Sequence, residues 1–454
     1  MMKCQKQLGD LFDHKFLIRT AQDVGFHKRA SKVTPVIFFD ILTLCASSSR
    51  NISLEQACNE VSVKYGISLN KQSLDERFSE SSMLFIHNLL RVFLEQQVSS
   101  VLDPEFLERF NHIRVSDSTK FDVPKEFKDV LPGFNGRVSS AAGISIQYEF
   151  DIKSGRVLCL DINSATTSDS KHAQKTMEYI CERDIVIRDL GFYSKKNLLD
   201  IKNKKAFFIS RLNAKTKVYE EGTKGTLVEI YFDNLYKEMV EMGITSKEVM
   251  VYIGGDKKLP VRLMVQIMPD EVYAKRIAKL NKYNKANGHQ TGQDIKDRYR
   301  FNLFVTNIGP DILDLQQICL LYKIRWQVEL TFKIWKSGFK LASLQKMKYH
   351  RYMTILYAKL LLILISQQII LSIRQPLYWK HKKILSMAKC FGTLCVHNRL
   401  IRELLDNPEK PIMIMNKIGS MLAKNHWLEK RKERCGLEEI ISSFGCITDI
   451  YAYI

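Results

Sequence analysis

Acidic residues are scarce for a chain of this size: 49 Asp+Glu stand against 69 Lys+Arg, a formal charge of +20 over 454 residues. That imbalance makes acidic partners and cationic substrates poor fits and a polyanion a good one, so nucleic acid is the first partner to consider. A lysine-rich surface that merely keeps the chain in solution is the open alternative. Paired cysteines are also missing. The ten cysteines, at 4, 45, 58, 159, 181, 319, 390, 395, 435 and 446, include no Cys-x-x-Cys pair and no histidine partners at zinc-ligand spacing, which argues against a zinc module or a disulfide framework and for a reducing cytosol. The N-terminal MMKCQKQLGDLFDHK lacks the uninterrupted apolar run of a signal peptide, so secretion is not expected. No internal repeat or low-complexity tract occurs. Only Tyr352 to Ile373 has the apolar length of a membrane span, and Lys359, Gln367 and Gln368 interrupt it. In a basic chain this reads as a core helix buried on all sides, with no membrane partner. What is present, 45% hydrophobic residues, suffices for two or three domains.

Hydrophobic periodicity divides the chain. Residues 1–105 carry apolar positions at helical spacing, and within them SLEQACNEVSVKYGISLNKQSLDERF offers a Ser53 cap, a Gly66 turn and a second cap near Asn70, the grammar of a helix-turn-helix. DNA-end reading and plain helical packing both satisfy it. Residues 106–205 alternate strands with helices, 206–305 are β-rich, and 306–374 and 375–454 are helical. Glu271 to Arg300 holds eight Lys/Arg against three acids with little apolar content. It reads as a loop, either a solvated excursion or a clamp on a DNA backbone.

Two strands carry the same ending, Ile113-x-Val115-x-Asp117 and Ile185-x-Ile187-x-Asp189. The two-residue period places each aspartate on the face of its β-branched neighbours, where the strand leaves the core. Farther on comes LLYKIRWQVELTFKIWKSGFK. On one helix at about 100° per residue, Tyr322, Arg325, Glu329 and Lys336 fall within roughly 60° of each other, beside an apolar stripe of Leu321, Ile324, Val328, Phe332 and Trp335. A carboxylate flanked by two cations and a phenol suits phosphodiester chemistry. Two divalent ions roughly 3.5–4 Å apart need carboxylate ligands, and arginine grips phosphate through its fork. An Arg325–Glu329 surface pair is the simpler reading. Trp326, beside this face, is either a packed indole or a platform for a displaced base.

The spacing Tyr322, Arg325, Glu329, Lys336 resembles the Y-R-E-K signature of bacterial cut-and-paste insertion-sequence transposases of the "insertion sequence four" type. SDST at 116–119, DLGF at 189–192 and FVTNI at 304–308 are similar to that family's two aspartate motifs and the strand returning from its inserted domain. The resemblance implies an α/β fold. An RNase H-like catalytic core (106–205 and 306–374) would be interrupted by a β-rich insertion (206–305) and flanked by helical regions at 1–105 and 375–454. It implies a DDE transposase with Asp117, Asp189 and Glu329 as catalytic residues and ligands of two Mg²⁺ or Mn²⁺ ions, and Tyr322, Arg325 and Lys336 on DNA phosphates. Hydrolytic nicking of transposon ends, a hairpin intermediate and strand transfer would follow. Its partners would be double-stranded DNA, as terminal inverted repeats and target, and a second copy in a paired-end complex in the bacterial nucleoid. A non-cleaving DNA-binding regulator on the same fold is the competing expectation.

Overall fold

The computed structural model describes residues 2–47, 52–97, 109–134, 140–255, 258–381, 383 and 385–429. The chain forms two compact units, one of Met1–Pro104, Ser118–Thr166 and Gln327–Ile454, the other of Glu105–Asp117 and Thr167–Trp326. Ten strands occur among the described residues: β1 (Ile113–Asp122), β2 (Gly143–Asp151), β3 (Val157–Ser164), β4 (Ile185–Arg188), β5 (Phe207–Arg211), β6 (Val218–Glu221), β7 (Leu227–Glu229), β8 (Ser246–Ile253), β9 (Leu259–Ile267) and β10 (Phe301–Thr306). With the helices they make a mixed α/β protein.

In the unit containing Thr167–Trp326 the strand order is β1-β4-β5-β10-β9-β8-β6-β7. β4 runs parallel to both β1 and β5, whereas β10 is antiparallel to β5 and β9. β4 is apolar except for its last residue and buried at all four positions, as a strand flanked by parallel neighbours must be. Val186, Phe208, Val251, Leu263, Val305 and Phe232 form one continuous core. The β-rich stretch between β5 and β10 extends the same sheet outward through β9, β8, β6 and β7.

Two segments here depart from the sequence expectation. Residues 271–300, read as a loop, form helices Asp270–Asn287 and Gln293–Arg298. The first buries no residue, so no apolar stripe announces it; alanine, lysine and leucine propensity, with a left-handed Gly288 at its end, suffices. The single helix expected through Tyr322 and Lys336 divides into Leu315–Ile324 and Trp326–Ser337. At the joint the Arg325 N–H donates to the carbonyl three residues back, Tyr322 O, at 3.2 Å, the tighter bonding of a 3₁₀ turn.

The other unit holds β3-β2-β1 and most of the helices. Its axis is helix Tyr349–His381, 83% buried over its most apolar window. A helix apolar all round needs packing partners all round, and Glu80–Glu95 and Pro35–Ser47 supply them. Lys359, buried in its middle, donates to Ala46 O at 3.1 Å and Phe339 O at 2.9 Å. The helix-turn-helix grammar is realised in Leu54–Tyr65 and Lys71–Glu76: Ser53 forms a capping box with Gln56, Gly66 takes φ 65° and Asn70 caps the second helix. The basic run Lys430-Arg431-Lys432, a further feature of the sequence, lies outside the described residues.

Candidate functional site

The parallel pairing of β1 with β4 runs from Ile113↔Ile185 to Ser116↔Arg188. Carried one residue further, the same register sets Asp117 opposite Asp189. Neighbouring strands lie about 4.8 Å apart and matched residues share a face, so the two carboxylates stand side by side at the carboxyl end of the pairing. That is the edge where open α/β sheets take their ligands. The β4–β5 register, Ile185↔Phe207 to Arg188↔Ser210, places Arg211 next in the row, and Arg211 in turn opposes Phe304 of β10.

Asp189 ends its strand and opens a tight turn through Leu190–Phe192. A Cβ at Gly191 in that turn would come within 2.8 Å of the Asp169 carboxylate and push it aside. Asp117, expected at a strand end, lies instead within β1, which continues to Asp122. Pairing with β4 stops at Ser116, but β2 still flanks the strand on its other side and keeps it extended.

Helix Leu315–Ile324, capped by an Asp314–Gln317 capping box, brings two more groups onto the row. Tyr322 is buried. Its ring lies 4.8 Å from that of Phe304, with the Arg211 and Arg325 guanidiniums 6.0 and 5.7 Å from its centre. Its hydroxyl donates to Asp189 Oδ1 at 3.4 Å. Burial, with the Asp189 charge adding to it, pushes the phenol up to about 12; Tyr322 is therefore a donor and not a base at any ordinary pH. Arg325 reaches Asp117 Oδ2 with Nη1 at 3.3 Å and comes within 4.0 Å of Asp189 Oδ1 with Nε. One guanidinium thus spans two carboxylates that would otherwise repel. The Asp117 and Asp189 side chains keep 16% and 41% of their surface exposed. Adjacent, accessible carboxylates are the hard oxygen donors that Mg²⁺ or Mn²⁺ prefers, so the residues fit a divalent ion.

Asp117, Asp189, Tyr322 and Arg325 are accordingly gathered in one unit. Trp326 begins the next helix; its side chain lies outside the described residues. Glu329 and Lys336 belong to the other unit, on helix Trp326–Ser337. Glu329 sits in its first turn, where the helix dipole favours an anion. Phe332 and Trp335 seat that helix edge-on against Tyr148 of β2, at 5.9 and 5.1 Å. Lys336 Nζ donates to Lys120 O at 3.1 Å, and burial lowers its pKa.

Two residues in or beside the row escaped sequence reasoning. Arg188 is buried, and its Nε donates to Ser116 Oγ at 3.4 Å while Nη2 reaches Thr176 Oγ1 at 3.2 Å, bracing the residues just before both aspartates. An arginine closing an apolar strand was the signal available. Arg211 had no such signal, since only the strand register reveals it.

Comparison with known proteins identifies the family. A family model described as "Transposase DDE domain" matches residues 108–365, more than half of the chain. The transposase for insertion sequence element IS231F of Bacillus thuringiensis subsp. israelensis is 27% identical over 439 residues, covering 92% of this chain and 91% of the relative. That for IS1151 of Clostridium perfringens is 28% identical over 402 residues, covering 86% and 85%.

Proposed function

The chain belongs to the transposase DDE-domain family of bacterial insertion sequences, and from that premise we propose that it is a cut-and-paste transposase acting on its element's own ends. Asp117, Asp189 and Glu329 are its acidic triad. The observation that carries this reading is that one guanidinium, Arg325, spans Asp117 and Asp189, each one residue beyond the paired stretch of β1 and β4. Two adjacent carboxylates would repel phosphate in a protein that only bound DNA, which weighs against a non-cleaving regulator. Strand order supports an RNase H-like core, with β3-β2-β1 in one unit and the parallel set β1-β4-β5 in the other.

Asp117, Asp189 and Glu329 would hold divalent ions, two per site, that supply charge stabilisation and an activated oxygen nucleophile when bound. The chain's own groups do the rest. Arg325, already at the carboxylates, offers a planar fork to the scissile phosphate. Tyr322, locked as a neutral phenol, donates a hydrogen bond without taking a proton. Lys336 adds a second cationic grip. In this reading water breaks the phosphodiester at the transposon end and leaves a 3′-hydroxyl. That hydroxyl attacks the opposite strand to close a hairpin, and the reopened end joins target DNA. Two copies of the chain would hold two ends in a paired complex.

The test is a nicking assay with the full chain, Mg²⁺ and linear duplex carrying the sequences that flank its gene. Nicking at the element ends is expected, with Asp117→Ala, Asp189→Ala and Glu329→Ala each reducing it at least about a thousandfold. Cleavage surviving all three changes would overturn the site. Tight, ion-independent binding with no cleavage under any divalent cation would favour the regulator.

A further inference from the structure

Helix Asp270–Asn287 buries none of its 18 residues, yet it is firmly seated. Arg276 donates to Tyr299 O at 3.2 Å, Phe301 O at 2.8 Å and Asn302 Oδ1 at 2.7 Å. The Arg300 guanidinium lies 4.3 Å from the ring of Tyr273 and 4.6 Å from that of Tyr236. One face of the helix is thereby fixed to the start of β10. On the remaining surface Lys275, Lys279, Lys282 and Lys285 are all exposed. At about 100° per residue the first three fall within roughly 60°, with Lys285 adjoining.

A helix standing in water ordinarily interleaves Glu with Lys three or four residues apart. Here the first turn holds Asp270 and Glu271, and no acid follows until Asp294. Lys275 and Lys279 are i,i+4, and Lys279–Lys282 and Lys282–Lys285 are i,i+3, so beyond Glu271, four residues before Lys275, every neighbour on the stripe repels the next. Such a stripe weakens the helix that carries it and makes physical sense against a polyanion. Lys275 to Lys285 spans about 15 Å, the length of duplex axis over which one strand carries four to five phosphates at about 3.4 Å of rise each.

The helix is also anchored close to the row at the carboxylates. Arg211 opposes Phe304 on β10, and Arg276 is held at Phe301 of the same strand, about 10 Å along it. The two arginines are near enough that the Arg211 charge, after burial, lowers the Arg276 pKa.

We propose that Lys275, Lys279, Lys282 and Lys285 form a sequence-independent cradle for the phosphate backbone of duplex DNA, along which the duplex extends away from the scissile phosphate. The cradle rests on the transposase reading above. It contributes affinity and alignment rather than sequence choice, because lysine against phosphate carries no base information.

The test uses the full chain with all four lysines changed to Gln, a second variant with all four changed to Arg, and fluorescently labelled duplexes of element-end and unrelated sequence, titrated over a range of salt. For the Gln variant the slope of log affinity against log salt is expected to fall by about three and affinity to drop about ten- to hundredfold at moderate salt, equally on both duplexes. The Arg variant should keep the wild-type slope. An unchanged slope and affinity in the Gln variant, with wild type binding DNA, would overturn the cradle and leave the transposase reading standing. Absence of DNA binding by wild type would overturn both. Wild type that bound anionic phosphatidylserine vesicles, and lost that binding in the Gln variant while duplex affinity held, would assign the stripe to a lipid surface and overturn the cradle.

Discussion

Helices Tyr349–His381 and Asp270–Asn287 share one backbone geometry and have opposite surroundings. The first is apolar on every side and buries Leu360, Leu361, Leu362, Ile363, Leu364 and Ile365 in succession; the second buries nothing and carries a row of lysines. The long helix exists because packing around it removes apolar surface from water, at roughly 25 cal/mol per Å². The lysine helix stands on propensity, its terminal charges and the Arg276 and Arg300 anchors. Helical hydrogen bonding therefore says little about what stabilises a helix, and burial says most of it.

The comparison breaks most visibly at Leu361, which is 1% exposed. Leu361→Lys should cost more than about 4 kcal/mol, through lost burial and an unpaired internal charge, and should be read in urea unfolding as loss of the cooperative transition. Leu280→Lys on the exposed helix should change stability by less than about 1 kcal/mol; equal costs would show that the two helices are not held differently.

Lys359 sharpens the contrast, being the one lysine that the long helix buries among its described residues. Burial lowers it from 10.5 to about 8, against weak opposing charge from Cys395 and Cys45 and with Lys340 adding slightly to the lowering. The folded state thus binds fewer protons than the unfolded state between those values, so this group's contribution to stability rises with pH across that window and is least favourable below about pH 8. Wild type should gain on the order of 3 kcal/mol relative to Lys359→Met between pH 8 and 10.5. Paired denaturation curves cancel the opposing titration of the buried thiols. Parallel curves would rule the effect out.

A smaller effect is expected at Arg276. Arg276→Gln removes three hydrogen bonds, and amide exchange in Asp270–Asn287 should quicken by about tenfold, the equivalent of about 1.4 kcal/mol, while exchange in β8 and β9 holds. The smallest change comes from Lys279→Glu. Replacing two like-charge contacts with attractive ones should add a few tenths of a kcal/mol, detectable as a slight rise in Tm, even as DNA affinity falls.

Much of this molecule was legible beforehand where local chemistry decides. Ser53, Gly66 and Asn70 cap and turn helices because their side chains and φ preferences act within a few residues. Tyr352 to Ile373 lies mostly buried because its largely apolar character leaves it nowhere else to go. The lysine helix was missed for the converse reason: the amphipathic signal comes from a buried face, and this helix has none. The division at Arg325 was missed because one hydrogen bond shifted by a residue leaves no trace in composition.

The sequence by itself determined that Asp117 and Asp189 accompany strands and that Tyr322 and Glu329 ride on helices, since the two-residue and 3.6-residue periods are local properties of the backbone. Tertiary structure alone decided that Arg325 spans Asp117 and Asp189, 72 positions apart, that Arg211 follows them in the sheet, and that Arg276 anchors the lysine-bearing helix on the same strand β10. Strand register is set by the packing of distant segments into one core, and no window of sequence contains that information.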